Sequence, residues 1–490
     1  MRAVVVLFDS LSRRYLPSYG NSHVIAPNFE RLEKMSQTFE RYYTGSMPCM
    51  PARRDFQTGR YNFMHRCWGP MEPFDFSFIE ELNHHEIYTH LVTDHSHYIQ
   101  DGGATYHNRY RTFEIFRGQE GDRWMPQGLA DNYEESQRLI NKRGLSVIQQ
   151  MANRTKIREE TDFPTVRTIN AGIEFLKNYA DKDEWFLQIE CLDPHEPFYS
   201  PEKYRRLYGL EEDGDPAEWP AYGKMQGGQN EDIESMRREY EALITMCDFH
   251  LGKIMDVMDE HDMWKDTLLI VTTDHGLMLG ERGYLGKNFQ PPYEELSHIP
   301  LYIHDPRGAM GVRRTALVQM IDMAPTLLAW FGIPLPLDLD GRDLFPVIRD
   351  DTSVHETILF GINGGHACIY DGEYIYMRAA VEEDNKSLIN YTLMPTMMRG
   401  FVDKELLKRA ELIKGNRFTN GIPCLKMPMK TYVDSFGFGS LLFDMKCDMN
   451  QINPLHDSET EKKMADKLIQ AMKRIEAPQE EYVRLGLKQD

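Results

Sequence analysis

One pattern constrains this chain more than any other: a short apolar, β-prone run that halts at acidic or histidine residues. Val4-Val5-Val6-Leu7-Phe8 halts at Asp9, and Ile87-Tyr88-Thr89-His90-Leu91-Val92 halts at Thr93-Asp94-His95-Ser96-His97. Trp185-Phe186-Leu187-Gln188-Ile189 leads to Asp193-Pro194-His195, and Leu268-Leu269-Ile270-Val271 leads to Asp274-His275. Continuous apolar runs of this length predict strands buried on both faces of a largely parallel sheet. Ligands of such sheets bind beyond the carboxyl ends of the strands, where these polar residues would converge.

Helical stretches alternate with the runs, as a sheet covered on both sides requires. Tyr240, Leu243, Ile244, Cys247, Leu251, Ile254, Met255 and Met258 recur at helical spacing. A further helix is predicted from Ala324-Pro325-Thr326 to a stop at Gly332. Near His366 the texture changes: Cys368-Ile369-Tyr370, then Asp371-Gly372, then Tyr374-Ile375-Tyr376-Met377 reads as a β-hairpin. A helix over 459–474 follows. The expected fold class is α/β, with a large mixed, mostly parallel sheet sandwiched by helices and a smaller C-terminal α+β subdomain. Residues 208–235, rich in Gly, Pro, Asp and Glu, predict a surface insertion that borders the pocket.

Composition serves to exclude. Hydrophobic residues make up 41% and charged residues 27% of the 490, which is ordinary for a globular protein and excludes disorder. A formal net charge of -20 argues against a nucleic-acid partner, since such proteins carry a basic face to displace phosphate counterions. A small anionic substrate stays open, because a local group of Arg, Lys and His can hold it. The apolar run from Ala3 to Phe8 is too short for a membrane span and lacks a signal-peptide cleavage pattern. The seven cysteines are scattered and without a C-x-x-C pair, so reduced thiols, a cytoplasmic location and no membrane partner are expected.

The segment Cys49-Met50-Pro51-Ala52-Arg53, with Thr58-Gly59-Arg60 at fixed spacing, resembles the sulfatase signature C-x-P-x-R followed by T-G-R. The resemblance continues through Asp193-Pro194-His195-Glu196-Pro197-Phe198, Asp274-His275-Gly276, Gly280-Glu281 and Gly286-Lys287. It runs on through Ile321-Asp322-Met323-Ala324-Pro325-Thr326, Asp340-Gly341-Arg342, Leu442-Phe443-Asp444 and Asn453-Pro454-Leu455. It implies the alkaline phosphatase superfamily fold, with a catalytic sulfatase domain over 1–365 and a C-terminal subdomain over 366–490. The implied activity is hydrolysis of a sulfate monoester of a sugar or aryl alcohol, after oxidation of Cys49 to formylglycine. A formylglycine-generating or anaerobic sulfatase-maturating enzyme is then a partner.

By the same resemblance, Asp9, Asp274, His275 and the oxygen derived from Cys49 hold a divalent metal. Ca²⁺ follows from the family, while the imidazole of His275 leaves Mn²⁺ open. The implied catalytic residues are Cys49, Arg53, His195 and Lys287, with Arg53 on the aldehyde hydrate and His195 and Lys287 on the sulfate and the departing oxygen. Taken singly, an Asp after a strand reads as a cap, a His after Asp-Pro as a turn, and a Lys as a solvated cation. Their joint occurrence reverses those readings.

Two departures stand out. Ser10 occupies the position where an adjacent second aspartate is common, as an outer-shell group or no ligand at all. The family's Gly-Lys-x-His is absent, and His97 is its expected substitute in binding sulfate, with His95 behind it. His107 is a weaker candidate, and Trp68 is expected to pack. A formylglycine-dependent phosphonate monoester or phosphodiester hydrolase is the alternative function. An inert binding protein is opposed by the intact Cys49, Arg53, Asp274, His275 and Lys287.

Overall fold

The computed structural model describes residues 1–130, 147–210, 216–225, 230–431 and 433–488. Its centre is an eight-stranded sheet of β1 (Arg2–Phe8), β2 (Gln37–Phe39), β3 (Tyr88–Thr93), β4 (Thr112–Ile115), β5 (Trp185–Cys191), β6 (Thr267–Thr272), β7 (Leu301–His304) and β8 (Val312–Arg314), in the order β8-β2-β7-β6-β1-β5-β3-β4. β6, β1, β5, β3 and β4 run parallel, and β7 turns antiparallel against β6 and β2. The sheet is therefore mixed and mostly parallel, as the four apolar runs predict.

Strand alternation divides the core in two. Val4, Val6 and Phe8 of β1, Leu187 and Ile189 of β5, and Leu269 and Val271 of β6 face one side. Helices Pro164–Tyr179 and Asn230–Glu260 cover that side through residues such as Ile169, Leu176, Ile244 and Met255. Ala3, Val5, Phe186, Leu268 and Ile270 face the other side, covered by Met50, Phe56, Phe78, Leu82, Leu327 and Leu328. Each such side chain, taken fully out of water, contributes about 1.5–3 kcal/mol. That is why the central runs are apolar apart from a few buried, hydrogen-bonded polar residues such as Gln188 and Glu190 of β5.

Register brings the strand ends together. Phe8 pairs with Cys191, Leu7 with Thr272, and Thr93 with Glu190. Asp9, Asp94, Asp193 and Asp274 thus leave the sheet together, just beyond the carboxyl ends of four neighbouring parallel strands.

A second sheet has the order Leu441–Asp444, Tyr374–Arg378, Ala367–Tyr370, Ile358–Ile362, Ser46–Met47. The Asp371-Gly372 hairpin is present, and helix Ser458–Arg474 packs over it through Met464, Leu468 and Met472. Its strand Ile358–Ile362 precedes residue 366, and its edge strand Ser46–Met47 comes from just before Cys49. The C-terminal layer therefore reaches into the Cys49 loop. No helix among the described residues is long and apolar enough to cross a membrane.

Candidate active site

Cys49 opens the helix Cys49–Thr58 and is almost wholly buried. Buried Asp55, on the same helix, accepts from the Ser46 hydroxyl at 2.8 Å and the Asn62 amide at 2.7 Å, which fixes the loop ahead of Cys49. Burial raises the Asp55 pKa to about 7. At the far end Gly59 adopts φ 64°, and its N–H closes on the Asp55 carbonyl at 2.9 Å. The Arg60 guanidinium donates to the carbonyl of Phe418 at 3.4 Å. Thr58-Gly59-Arg60 therefore ends and anchors the helix, away from the chemistry.

The Cys49 sulfur lies 3.3 Å from His275 Nε2 and 3.5 Å from Lys287 Nζ. Burial, and then Asp9, push its pKa well up, against the opposing pull of Lys287 and Arg53. The thiolate is disfavoured, so the unmodified cysteine is a poor nucleophile.

Arg53 lies one turn further along the helix and carries three carboxylates. Its Nε donates to Glu190 at 2.7 Å, Nη1 to Asp274 at 2.7 Å and Nη2 to Asp9 at 2.9 Å. Burial works against its charge, but Glu190, Asp274 and Asp9 outweigh it and hold the guanidinium protonated. Burial would likewise raise Asp9, yet Arg53 and then Lys287 keep its carboxyl well below the usual range. Ser10 bridges the two groups. Its hydroxyl donates to Asp9 Oδ1 at 2.7 Å and accepts from Lys287 at 2.9 Å, and its N–H donates to Asp274 at 3.0 Å. Ser10 is thus an outer-shell group.

Asp9, Cys49, Asp274 and His275 bring one candidate ligand atom each within 4.8 Å of one another. The Cys49 sulfur is the position that an oxygen would take if Cys49 were oxidised to an aldehyde hydrate. His275 Nδ1 donates to the Gly276 carbonyl at 2.9 Å, which leaves Nε2 facing the cluster. Burial pushes its pKa down to about 4, so the imidazole is in its neutral, ligating form. A Cβ on Gly276 would collide with the carbonyl of Glu295, so only glycine lets this turn close. The three carboxylates against the Arg53 and Lys287 cations leave one negative charge uncompensated. A divalent cation fits this donor set and this charge.

His195 follows β5. Its Nδ1 donates to the Glu196 carbonyl at 2.6 Å, which leaves Nε2 outside that bond. The Glu196 carboxylate accepts from the hydroxyl of Tyr222, whose ring packs on Gly286 beside Lys287. Tyr222 belongs to the stretch expected as a surface insertion over 208–235 and reaches the site through Glu196, but the stretch ends earlier than expected: helix Asn230–Glu260 begins inside it, and its Ile233 is buried in the core. Positions 211–215 and 226–229 of that insertion lie outside the described residues.

The two candidate histidines differ. His97 is engaged at both nitrogens, with Gln100 at 2.7 Å and Glu120 at 3.2 Å, and its ring meets Trp68 at 4.7 Å. A bound sulfate would have to displace one of those partners. His95 is fully buried, has no hydrogen-bond partner for either nitrogen among the described residues, and places Nδ1 4.0 Å from Asp9 Oδ2. His95 is therefore the nearer of the two to the Asp9 carboxylate. His107 packs against the rings of Phe113 and Tyr98.

Glu190 escaped the sequence reading because it lies inside β5 rather than after it. A charged residue at the end of a strand buried on both faces signals a partner, since burying it alone is costly. A second unread pair is Asp94 and Asp193, whose carboxylates both accept from Gln119 Nε2 at 3.2 Å. Asp94 also accepts from the Leu192 N–H at 2.7 Å, tying the loops after β3 and β5 together.

The family model described as Sulfatase matches residues 2–333, and the one described as N-sulphoglucosamine sulphohydrolase, C-terminal, matches residues 280–396. The chain is 24% identical to an arylsulfatase of Clostridium perfringens, over 86% of this chain and 97% of that protein. It superposes with TM-score 0.67 at 14% identity on a protein solved with its substrate D-glucosamine-2-N,6-O-disulfate, covering 98% of each. A phosphonate monoester hydrolase of Agrobacterium radiobacter superposes with TM-score 0.67 at 18% identity, over 97% of this chain and 96% of that one.

Proposed function

The chain belongs to the sulfatase family of sulfuric ester hydrolases, and from that premise we propose that it hydrolyses a sulfate monoester of a sugar or aryl alcohol at Cys49. The observation that carries this reading is the convergence of Cys49, Arg53 and Lys287 on Asp9, Asp274 and His275 just beyond the carboxyl ends of the parallel strands. Once oxidised by a maturing enzyme, Cys49 would offer a hydrated aldehyde, with one hydroxyl to attack sulfur and a second to expel sulfate. Asp9, Asp274, His275 and the modified Cys49 would hold a divalent cation, Ca²⁺ by family or Mn²⁺ by its imidazole ligand, which when bound would acidify that hydroxyl and polarise the sulfate.

The remaining work falls to residues of the chain. Arg53 fixes both aspartates, and Lys287 places a cation beside the nucleophile to receive the anionic group. His195, with Nδ1 tied to Glu196, presents Nε2 to the departing oxygen as proton donor. Buried His95, with unpartnered nitrogens, is a further contact for a sulfate oxygen, and His97 supports it from behind.

The second reading is a formylglycine-dependent phosphonate monoester or phosphodiester hydrolase. It is favoured by the absence of lysine from Thr93 to His97, where the sulfatase pattern places a sulfate-gripping lysine. Mass spectrometry of the Cys49 peptide, with kcat/KM on a sulfate monoester and a phosphonate monoester, tests both. Conversion to the aldehyde with preference for sulfate is expected; preference for the phosphonate would put the second reading first.

A further inference from the structure

Glu190 is wholly buried, and its carboxylate links Arg53 to a group of polar side chains behind it. One carboxylate oxygen accepts from Arg53 Nε at 2.7 Å. The other accepts from Tyr98 Oη at 2.9 Å and from Gln188 Nε2 at 2.7 Å, and Gln188 Oε1 accepts from Tyr110 Oη at 2.6 Å. The carboxylate is thus braced from behind by two tyrosines and a glutamine.

A guanidinium is planar, with its five N–H donors in a rigid fork. Anchoring Nε therefore sets the direction of Nη1 and Nη2, which grip Asp274 and Asp9. Glu190 also supplies the third negative charge. Without it Arg53 would be neutralised by Asp9 and Asp274 alone, and the cluster's one surplus negative charge would vanish.

We propose that Glu190 is a positioning residue that sets the affinity of the site for its divalent cation, acting through Arg53 on Asp9 and Asp274. This rests on the reading of Asp9 and Asp274 as metal ligands. Groups that brace a ligand from behind change metal affinity about 10–100-fold.

The test is equilibrium dialysis of the purified protein against graded free Ca²⁺, and separately Mn²⁺, with bound metal counted by elemental analysis. Wild type, Glu190→Gln and Tyr98→Phe are compared, each checked for native fold by circular dichroism. Glu190→Gln is expected to raise the metal Kd about 10–100-fold and Tyr98→Phe by less. Saturating metal should return much of the lost kcat in Glu190→Gln, which a merely destabilised fold would not show. A folded Glu190→Gln protein with Kd within about twofold of wild type would overturn the inference while leaving the metal site standing. If Glu190→Gln does not fold, an unchanged Kd in Tyr98→Phe overturns it. A wild type that binds neither ion overturns the metal site itself.

Discussion

The ammonium of Lys287 lies 3.5 Å from the sulfur of Cys49, and the same ammonium donates to Ser10 at 2.9 Å. Burial works against the charge on Lys287, but the carboxylates of Asp9, Glu196 and Asp274 hold its pKa above the usual lysine value. It is therefore a fixed cation beside the nucleophile. Lys287→Ala is expected to lower kcat/KM by about 10²- to 10³-fold, the usual loss for one charge-stabilising donor. Steady-state kinetics on an aryl sulfate check this, and a loss below about threefold would remove Lys287 from the site.

Cys49→Ala is expected to abolish turnover with little loss of folded protein. It deletes one sulfur from a position held by hydrogen bonds of neighbouring groups, whereas core truncations that cost 2–5 kcal/mol remove several methylenes. Activity and thermal melting are measured side by side, on wild type whose conversion has been verified. Comparable activity in the variant would make the assignment of the nucleophile wrong.

How much of this was legible beforehand follows from where each group sits. Asp9, His195 and Asp274 stand just after apolar runs, so periodicity exposed them, and Cys49 and Arg53 lie in a compact motif. The fold class followed from the same runs. Glu190 was hidden because its meaning is set by Arg53, 137 positions away in sequence. The different settings of His95 and His97 were equally hidden: two residues apart, His97 is engaged by Gln100 and Glu120, while His95 has no hydrogen-bond partner for either nitrogen among the described residues and lies 4.0 Å from Asp9. The contribution of Ser46–Met47 to the C-terminal sheet is a long-range pairing that no local pattern announces.

Asp274→Ala should lose metal together with activity. The carboxylate is a hard oxygen donor to the cluster, and it also accepts from Arg53 at 2.7 Å. Elemental analysis of the purified variant is the measurement. Full occupancy would sink the ligand assignment.

Asp94 and Asp193 give the protein a stability term with a definite sign. Burial raises Asp94 to about 6, and burial followed by the neighbouring Asp94 charge raises Asp193 well above its ordinary value. The folded state therefore keeps protons that the unfolded chain, titrating at about 4, has released. The destabilisation from Asp94 is absent below about pH 4 and fully developed once pH passes its raised folded value near 6, and that from Asp193 grows from about pH 4 upward through its own raised folded value. Asp193→Asn removes one of the two like charges while keeping an oxygen for Gln119. It should be more stable than wild type at pH 8, by on the order of 1–3 kcal/mol, with the gain vanishing toward pH 4. Denaturant melts at the two pH values decide it, and a variant less stable at pH 8 would count against the like-charge account.

His195 carries the most discriminating prediction. Its Nδ1 is tied to the Glu196 carbonyl at 2.6 Å, so only Nε2 can hand a proton to the departing oxygen. Help of this kind is worth about 10²- to 10⁴-fold, and it matters in proportion to how poorly the alcohol leaves unaided. His195→Ala should therefore damage turnover of a sugar sulfate far more than that of an activated aryl sulfate, whose phenolate departs without a proton. If His195 served only to cap the turn after Pro194, the variant would melt at lower temperature and lose the same proportion on both esters. Measuring kcat/KM on the two substrates separates the cases: equal proportional losses would take His195 out of the acid role, and a selective loss on the sugar sulfate would place the proton at Nε2.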